Sequence, residues 1–248
     1  MCARILYLVR TSLHGIEEHL YLDSNSVMKN YDILGIKIKD HSVREALHAT
    51  REYLSYNVPS VVLFLTRELL LSASDSDEHK DFIEEGAEVT MIASSDIFRA
   101  ANVMDKGRER EIDRNMYLKG LLRMLSKEHR RIYLVTETPV EMDELKSLLG
   151  TFENALQIAG TYDEASIDAV EDVTNDINTV TPYVVIAVLS GNDGIDFTSA
   201  GKKYMNTRLI VTLQPEMLKV REDGSVRKGF MAKLSEKLFT RLAGKYKE

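Results

Sequence analysis

What most limits the folds open to this chain is the regular return of short β-branched runs between segments of helical periodicity. The runs are Ile33–Ile38, Val61–Leu65 (with Ser60 leading in), Val89–Ile92, Ile132–Val135, Leu156–Ala159, Tyr183–Leu189 and Arg208–Leu213. Between them, apolar residues recur with helical spacing over Ser42–Tyr56, Asp96–Met104, Met116–Ser126, Val140–Leu149, Asp163–Val173 and Met231–Ala243. Strand-sized runs without polar alternation suit strands buried on both faces. Alternating with helices, they predict a mostly parallel sheet flanked by helices, an α/β, Rossmann-like class.

Local signals agree. Ser42 stands three residues before Glu45, where each side chain can satisfy an orphan backbone N–H at a helix start. Pro139 precedes a helical segment at a position where its missing N–H costs nothing. No linker rich in Pro, Gly or Ser and no internal repeat divides the chain, so one domain is expected over residues 33–248. Residues 1–32 read as an extension without an assigned role. Within it Arg4–Val9 is a candidate edge strand and Ser24–Asn30 a loop.

The net charge of −7 is unevenly spread. Residues 201–248 hold 12 Lys and Arg against 5 Asp and Glu, so the first 200 residues carry 20 basic and 34 acidic side chains. An acidic body with a basic end points to an anionic partner at that end, a lipid headgroup or a phosphorylated substrate. In the final segment Met231, Leu234, Leu238 and Leu242 form an apolar stripe beside a band of Lys233, Lys237, Arg241 and Lys245. Such a basic amphipathic helix can lie in a membrane interface. Each cation near an anionic leaflet contributes about 1 kcal/mol. Packing of the stripe on the sheet is the plainer alternative.

Cys2 is the single cysteine, which excludes an intramolecular disulfide and a cysteine metal cluster. No apolar run reaches the roughly 18–20 residues of a membrane span, and Ile5–Val9 is too short for a signal-peptide core, so the expected location is inside the cell. Asp75, Asp77, Glu78 and His79 read as a capped, solvated turn rather than metal ligands. No nucleophile elbow, P-loop or dinucleotide fingerprint is present, and nucleic acid is not an expected partner. The mixed charges from Asp105 to Arg114 read as an exposed loop.

Several segments, in order, resemble the WecG/TagA/CpsF glycosyltransferase family. They are Ile33-Leu34-Gly35-Ile36-Lys37-Ile38 with Glu45-Ala46-Leu47, then Val61 through Leu69, Ile132-Tyr133-Leu134-Val135, and Ile158 through Asp163. The C-terminal Phe230-Met231-Ala232-Lys233-Leu234, continuing to Leu238-Phe239-Thr240-Arg241-Leu242, is similar to the family's final helix. The resemblance covers roughly residues 33–245. It implies transfer of an N-acetylhexosamine from a UDP-sugar to a polyprenyl-diphosphate-linked acceptor, with inversion and without a metal or other cofactor, by a protein peripheral at the cytoplasmic membrane face. Such chemistry needs a carboxylate to take the acceptor hydroxyl's proton and donors aimed at the leaving diphosphate.

The chain departs from the family at its chemical motifs. The Thr-x-Asn-x-Glu turn is Phe64-Leu65-Thr66-Arg67-Glu68, which keeps only the Glu. The Pro-Asp-Gly motif falls on Ile92-Ala93-Ser94, where Ala93 cannot accept a proton. Asp96, three residues on, is either a substitute base or a helix-start residue. A glycine-rich turn becomes Thr136-Glu137-Thr138-Pro139, adding an acidic charge where diphosphate would approach. The Gly-x-Pro-Lys-Gln-Glu loop becomes Ser190-Gly191-Asn192-Asp193-Gly194-Ile195, read as a flexible turn.

By resemblance, the expected catalytic residue is Asp96 and the substrate-binding residues are Thr66, Glu68, Arg114, Thr161, Asp163 and Asn192. Arg227, Lys228, Lys233, Lys237 and Arg241, in a basic appendage of about residues 215–248, would meet the acceptor or the membrane. The alternative is a catalytically inactive homologue that acts as a binding or scaffold partner of an active glycosyltransferase, with homo-oligomerisation a further option.

Overall fold

The computed structural model describes residues 29–219, 239–240 and 242–244. It opens on an antiparallel hairpin, β1 (Lys29–Ile33) and β2 (Ile36–Asp40). The sequence reading of one strand over Ile33–Ile38 is therefore corrected. Leu34 and Gly35 take φ values of 58° and 76°, the left-handed geometry that lets a two-residue turn match the twist of its strands. Ile33, Ile36 and Ile38 are still fully buried, which is why the apolar pattern looked continuous. β1 begins at Lys29, inside the span first set aside as an extension.

After α1 (Val43–Tyr53), the chain forms a six-stranded parallel sheet. Its strands are β3 (Ser60–Leu65), β4 (Val89–Ile92), β5 (Arg131–Thr136), β6 (Gln157–Tyr162), β7 (Val184–Val188) and β8 (Leu209–Leu213). Their spatial order is β4-β3-β8-β7-β5-β6, with every neighbouring pair parallel. The intervening helices are α2 (Arg67–Ala73), α3 (Asp77–Asp81), α4 (Ser95–Ala100), α5 (Lys106–Asp113), α6 (Met116–Lys127), α7 (Pro139–Phe152), α8 (Val170–Val180) and α9 (Gly191–Lys202). A short 3₁₀ turn, Pro215–Leu218, follows β8. The α/β class with a mostly parallel, helix-flanked sheet is thus the observed one.

β3, β7 and β8 are buried along their whole length, as their largely apolar runs predict. Alternate residues feed two cores. Val61, Leu63 and Leu65 join α2, α8, α9 and the hairpin on one face, while Val62 and Phe64 join α1, α6 and α7 on the other. Each fully buried Leu, Ile or Phe contributes roughly 1.5–3 kcal/mol, so these layers dominate the fold's stability. Phe239 and Ala243, one turn apart near the C-terminus, belong to the first core, while Leu242 is 42% exposed.

Helix starts follow the local chemistry. Ser42 and Glu45 form the reciprocal box expected of them, with Ser42 N–H donating to the Glu45 carboxylate at 2.8 Å. Thr138 and Glu141 form a second box ahead of Pro139. Three expectations are corrected. The helix placed over Asp163–Val173 starts at Val170, because the preceding loop is tied back when Ala165 N–H donates to Thr136 O at 2.9 Å. The charge run from Asp105 is a helix: Asp105 accepts from Gly107 and Arg108 N–H groups, and Arg108 and Ile112 are buried. The glycine-bearing segment after β7 is the first turn of α9 rather than a flexible turn.

Buried Arg108 anchors the hairpin. It donates to Asp40 Oδ1 at 2.7 Å, to His41 O at 2.5 Å and to Glu111, and its guanidinium lies 5.9 Å from the Phe98 ring centroid. On the other side Thr90 Oγ1 donates to Lys39 O at 2.8 Å, fixing β2 beside β4.

Candidate functional site

All six strands end on one edge of the sheet, and in such folds ligands bind outside the carboxyl ends, where the winding reverses. Here α7 leaves β5 on one face and α9 leaves the neighbouring β7 on the other, which places the reversal between β5 and β7. That crevice is bridged by the protein itself. Glu137, just past β5, accepts from Ser190 N–H at 2.8 Å and from Ser190 Oγ at 2.7 Å. Its carboxylate thus sits at the N-terminus of α9, where an external anion would otherwise be favoured. Next to it, Gly191, at φ 50°, donates its N–H to Gln214 Oε1 at 3.2 Å.

Two strands away, the end of β3 carries Thr66, Arg67 and Glu68. Thr66 is the N-cap of α2, accepting from Leu69 N–H at 3.3 Å. Arg67 is buried and pairs with both Glu68 and Asp96. Glu68 itself is half-exposed. Asp96 lies in the first turn of α4, after the N-cap residue Ser94, and is buried with both oxygens engaged. Oδ2 is 3.1 Å from Arg67 Nη1, and Oδ1 is 3.5 Å from Arg99 Nη2. A carboxylate held between two guanidiniums is poorly placed to receive a hydroxyl proton.

Sequence reasoning missed the residues after β8. Gln214, 1% exposed, uses Oε1 on Gly191, yet its Nε2 has no hydrogen-bond partner among the described residues. The same is true of Glu216 Oε1 and Asn192 Oδ1. Asn192 is held at the start of α9 by donating from Nδ2 to Ser72 O at 2.9 Å. Glu216 lies close to the Thr66 hydroxyl and to the Glu68 carboxylate. Burial pushes the Glu216 carboxyl above its ordinary range; Glu68 adds to that rise, while the Thr66 hydroxyl opposes it. Gln-Pro-Glu directly after a buried strand is the signal that would have revealed this corner.

At two of the family's motif positions, Phe64 and Ala93, the chain is apolar. Phe64 packs edge-on against Tyr117 with ring centroids 5.7 Å apart, and it lines a narrow cleft with Met91, Ala93, Met116 and Met217. With about 20 Å³ for water-sized occupants, that cleft has room for about a water. Arg114 is exposed at the end of α5. Thr161 and Asp163 lie at the end of edge strand β6, four strands from β3 and so roughly 19 Å away at the usual spacing. The structure therefore links Glu68 and Asp96 through Arg67, with Thr66 at the same strand end, and sets Asn192 on neighbouring α9, while Thr161 and Asp163 stand apart. Arg227, Lys228, Lys233, Lys237 and Arg241 lie outside the described residues.

Ser76 accepts from His79 N–H, Asp77 pairs with Lys80, and His79 Nε2 pairs with Asp196, so the acidic cluster around His79 serves helix capping and packing. Among the described residues no group of three or more His, Cys, Asp or Glu side chains is arranged to hold a metal ion, and no helix is long and apolar enough to cross a membrane.

These features define a doubly wound α/β protein with a polar corner at the carboxyl ends of its central strands. Residues 31–221 match the Glycosyl transferase WecG/TagA/CpsF family, about three quarters of the chain. The protein belongs to that glycosyltransferase family. Comparison with curated proteins gives no match.

Proposed function

We propose that this protein transfers an N-acetylhexosamine from a UDP-sugar to a polyprenyl-diphosphate-linked glycan in surface-polysaccharide assembly, working at the cytoplasmic membrane face. Family membership supports glycosyl transfer in general. The observation that carries the reading to this chain's own residues is a set of buried polar atoms without partners among the described residues, Gln214 Nε2, Asn192 Oδ1 and Glu216 Oε1. An unmade hydrogen bond at a buried group costs about 1–3 kcal/mol, and a ligand rich in both donors and acceptors, as a sugar is, relieves that cost. Thr66 and Glu68 border the same corner. The test is calorimetric titration with UDP and a panel of UDP-N-acetylhexosamines. Binding between micromolar and sub-millimolar strength is expected; no heat from a folded sample removes the reading.

Membrane attachment rests on the basic C-terminal segment. Because Phe239 and Ala243 are core residues, its test should change charge rather than delete the helix. Replacing Lys233, Lys237 and Arg241 by Gln is expected to release the protein from anionic vesicles at low salt, and unchanged retention would remove this part of the proposal.

A second reading, a non-catalytic homologue that serves an active glycosyltransferase as a binding partner, is favoured by one observation. Glu137 already occupies the N-terminus of α9, at the crevice where a diphosphate would be bound. Its mark would be a folded protein that binds no UDP-sugar yet forms a stable complex with a catalytically competent family member.

A further inference from the structure

The catalytic base that glycosyl transfer requires is absent at Ala93, and Asp96 is held by Arg67 and Arg99. A carboxyl of a different kind stands one strand over. Glu216 sits on the 3₁₀ turn directly after β8, and β8 pairs in parallel with β3, whose end carries Thr66 and Glu68. Three groups thus gather above two adjacent central strands: the Glu216 carboxyl, the Thr66 hydroxyl close to it, and the half-exposed Glu68 carboxylate. One face of Glu68 is neutralised by Arg67, which itself is shared with Asp96. Among the described residues no cation pairs with Glu216, and its Oε1 is buried without a donor. Just ahead of that turn, Gln214 presents a buried Nε2 that also lacks a partner among the described residues.

We propose that Glu216 is the proton acceptor for the incoming hydroxyl in this protein, with Glu68 as its positioning partner and Gln214 as a substrate hydrogen-bond donor. The inference rests on the transfer reading above. In the step it describes, the acceptor O–H bond breaks and its proton passes to the Glu216 carboxylate. The freed oxygen bonds to the anomeric carbon of the donor sugar from the face opposite the diphosphate. The bond from that carbon to the diphosphate oxygen breaks, and UDP leaves with the electron pair. No metal or redox partner enters the balance. A carboxyl shielded from water and faced by a second carboxylate is a stronger base than a solvated one, which suits it to this role. The charge that acts on Glu216 is that of Glu68, with the Thr66 hydroxyl opposing it.

The experiment measures turnover against pH for the full chain and two variants, with UDP-sugar affinity measured in parallel by calorimetry. Wild-type turnover should rise with pH along a limb that lies above the ordinary carboxylate range. Glu216→Gln should lower kcat by about 10²-fold or more and abolish that limb, while UDP-sugar affinity stays within a few-fold. Glu68→Gln should keep the limb and move it to lower pH, because the neighbouring charge is gone. The second variant keeps the test sharp if the first folds poorly. A Glu216→Gln protein that binds donor and retains its turnover overturns the assignment, as does a limb that Glu68→Gln leaves in place. A wild-type protein that binds donor but transfers nothing to any acceptor overturns the base role alone; one that binds no nucleotide removes the transfer reading and this inference with it.

Discussion

Arg67 stands between two carboxylates: its Nη1 donates to Asp96 Oδ2 at 3.1 Å and its Nη2 to Glu68. Asp96 and Arg67 are buried, whereas Glu68 reaches solvent. The pair therefore divides the site's acidic residues by role. Asp96 serves the scaffold, and Glu68 faces the corner where Glu216 and Gln214 gather.

Asp96→Asn separates these roles. Loss of a general base typically costs about 10²-fold or more in turnover. Loss of one charge in a buried ion pair instead lowers stability, here by about 1–3 kcal/mol, since Asn can still accept from Arg67. The expected outcome is a lower midpoint in denaturant unfolding with a fall in kcat of less than tenfold. A far larger loss of kcat in a normally folded variant would return the base role to Asp96.

Arg108→Ala tests what holds the N-terminal hairpin. Asp40 would be left buried without its guanidinium, and breaking such a pair by removing one member costs about 3–5 kcal/mol. Equilibrium unfolding should show that loss. Local loosening should appear as faster amide exchange across β1 and β2, with the parallel sheet still protected. A loss under 1 kcal/mol would mean that Arg108 is not the anchor.

The strand runs were legible because β3, β4, β7 and β8 are buried on both faces and carry largely apolar sequence, broken only by Ser60, Thr90 and Thr212. The capping box at Ser42 and the proline start of α7 were legible for a similar reason, since their chemistry is local. The hairpin turn at Leu34-Gly35 was hidden because Ile33 and Ile36 are both core residues across it. The helix α5 was hidden because Arg108, its buried anchor, is a charged residue whose partner Asp40 lies far away in sequence. The site was legible only in part. Thr66 and Glu68 follow a recognisable strand, but Gln214 and Glu216 matter through their neighbours across the sheet, and no spacing in the chain encodes that juxtaposition.

Glu137→Ala bears on the choice between the two functional readings. An anion at a helix N-terminus contributes roughly 0.3–1 kcal/mol, so a small loss of stability is expected. The same change removes a negative charge from the crevice between β5 and β7. If donor diphosphate is bound there, UDP-sugar affinity should rise several-fold by calorimetry. An unchanged or weakened affinity would place the diphosphate elsewhere along the strand ends.

Gly160 explains one part of the Gly-Thr-x-Asp segment without chemistry. A Cβ added there would lie 2.5 Å from the Tyr133 ring, which is buried beneath it and whose hydroxyl donates to Asp176 on α8. Gly160→Ala must push that ring aside, and overpacking of this kind costs about 1–3 kcal/mol. The loss should shrink in the Tyr133→Leu background, where the ring is absent. Equal losses in both backgrounds would show that the contact does not set the requirement for glycine.

Glu216 also makes a prediction for stability against pH. Its folded carboxyl is raised above the ordinary value of 4.5, mainly by burial and then by Glu68. The folded state therefore holds a proton that the unfolded chain has already released, so this group's contribution falls as pH rises from about 4.5 through the raised folded value. The penalty is fully developed above that window. Glu216→Gln keeps the shape and removes the charge, so it should be more stable than the native protein at neutral pH and equal to it below pH 4 or so. Denaturant midpoints measured from acid to neutral pH should converge at the acid end and separate towards neutrality. A variant less stable than the native protein across the whole range would mean that the Glu216 carboxylate is held by favourable contacts, and the strained carboxyl argued for proton transfer would lose its physical basis.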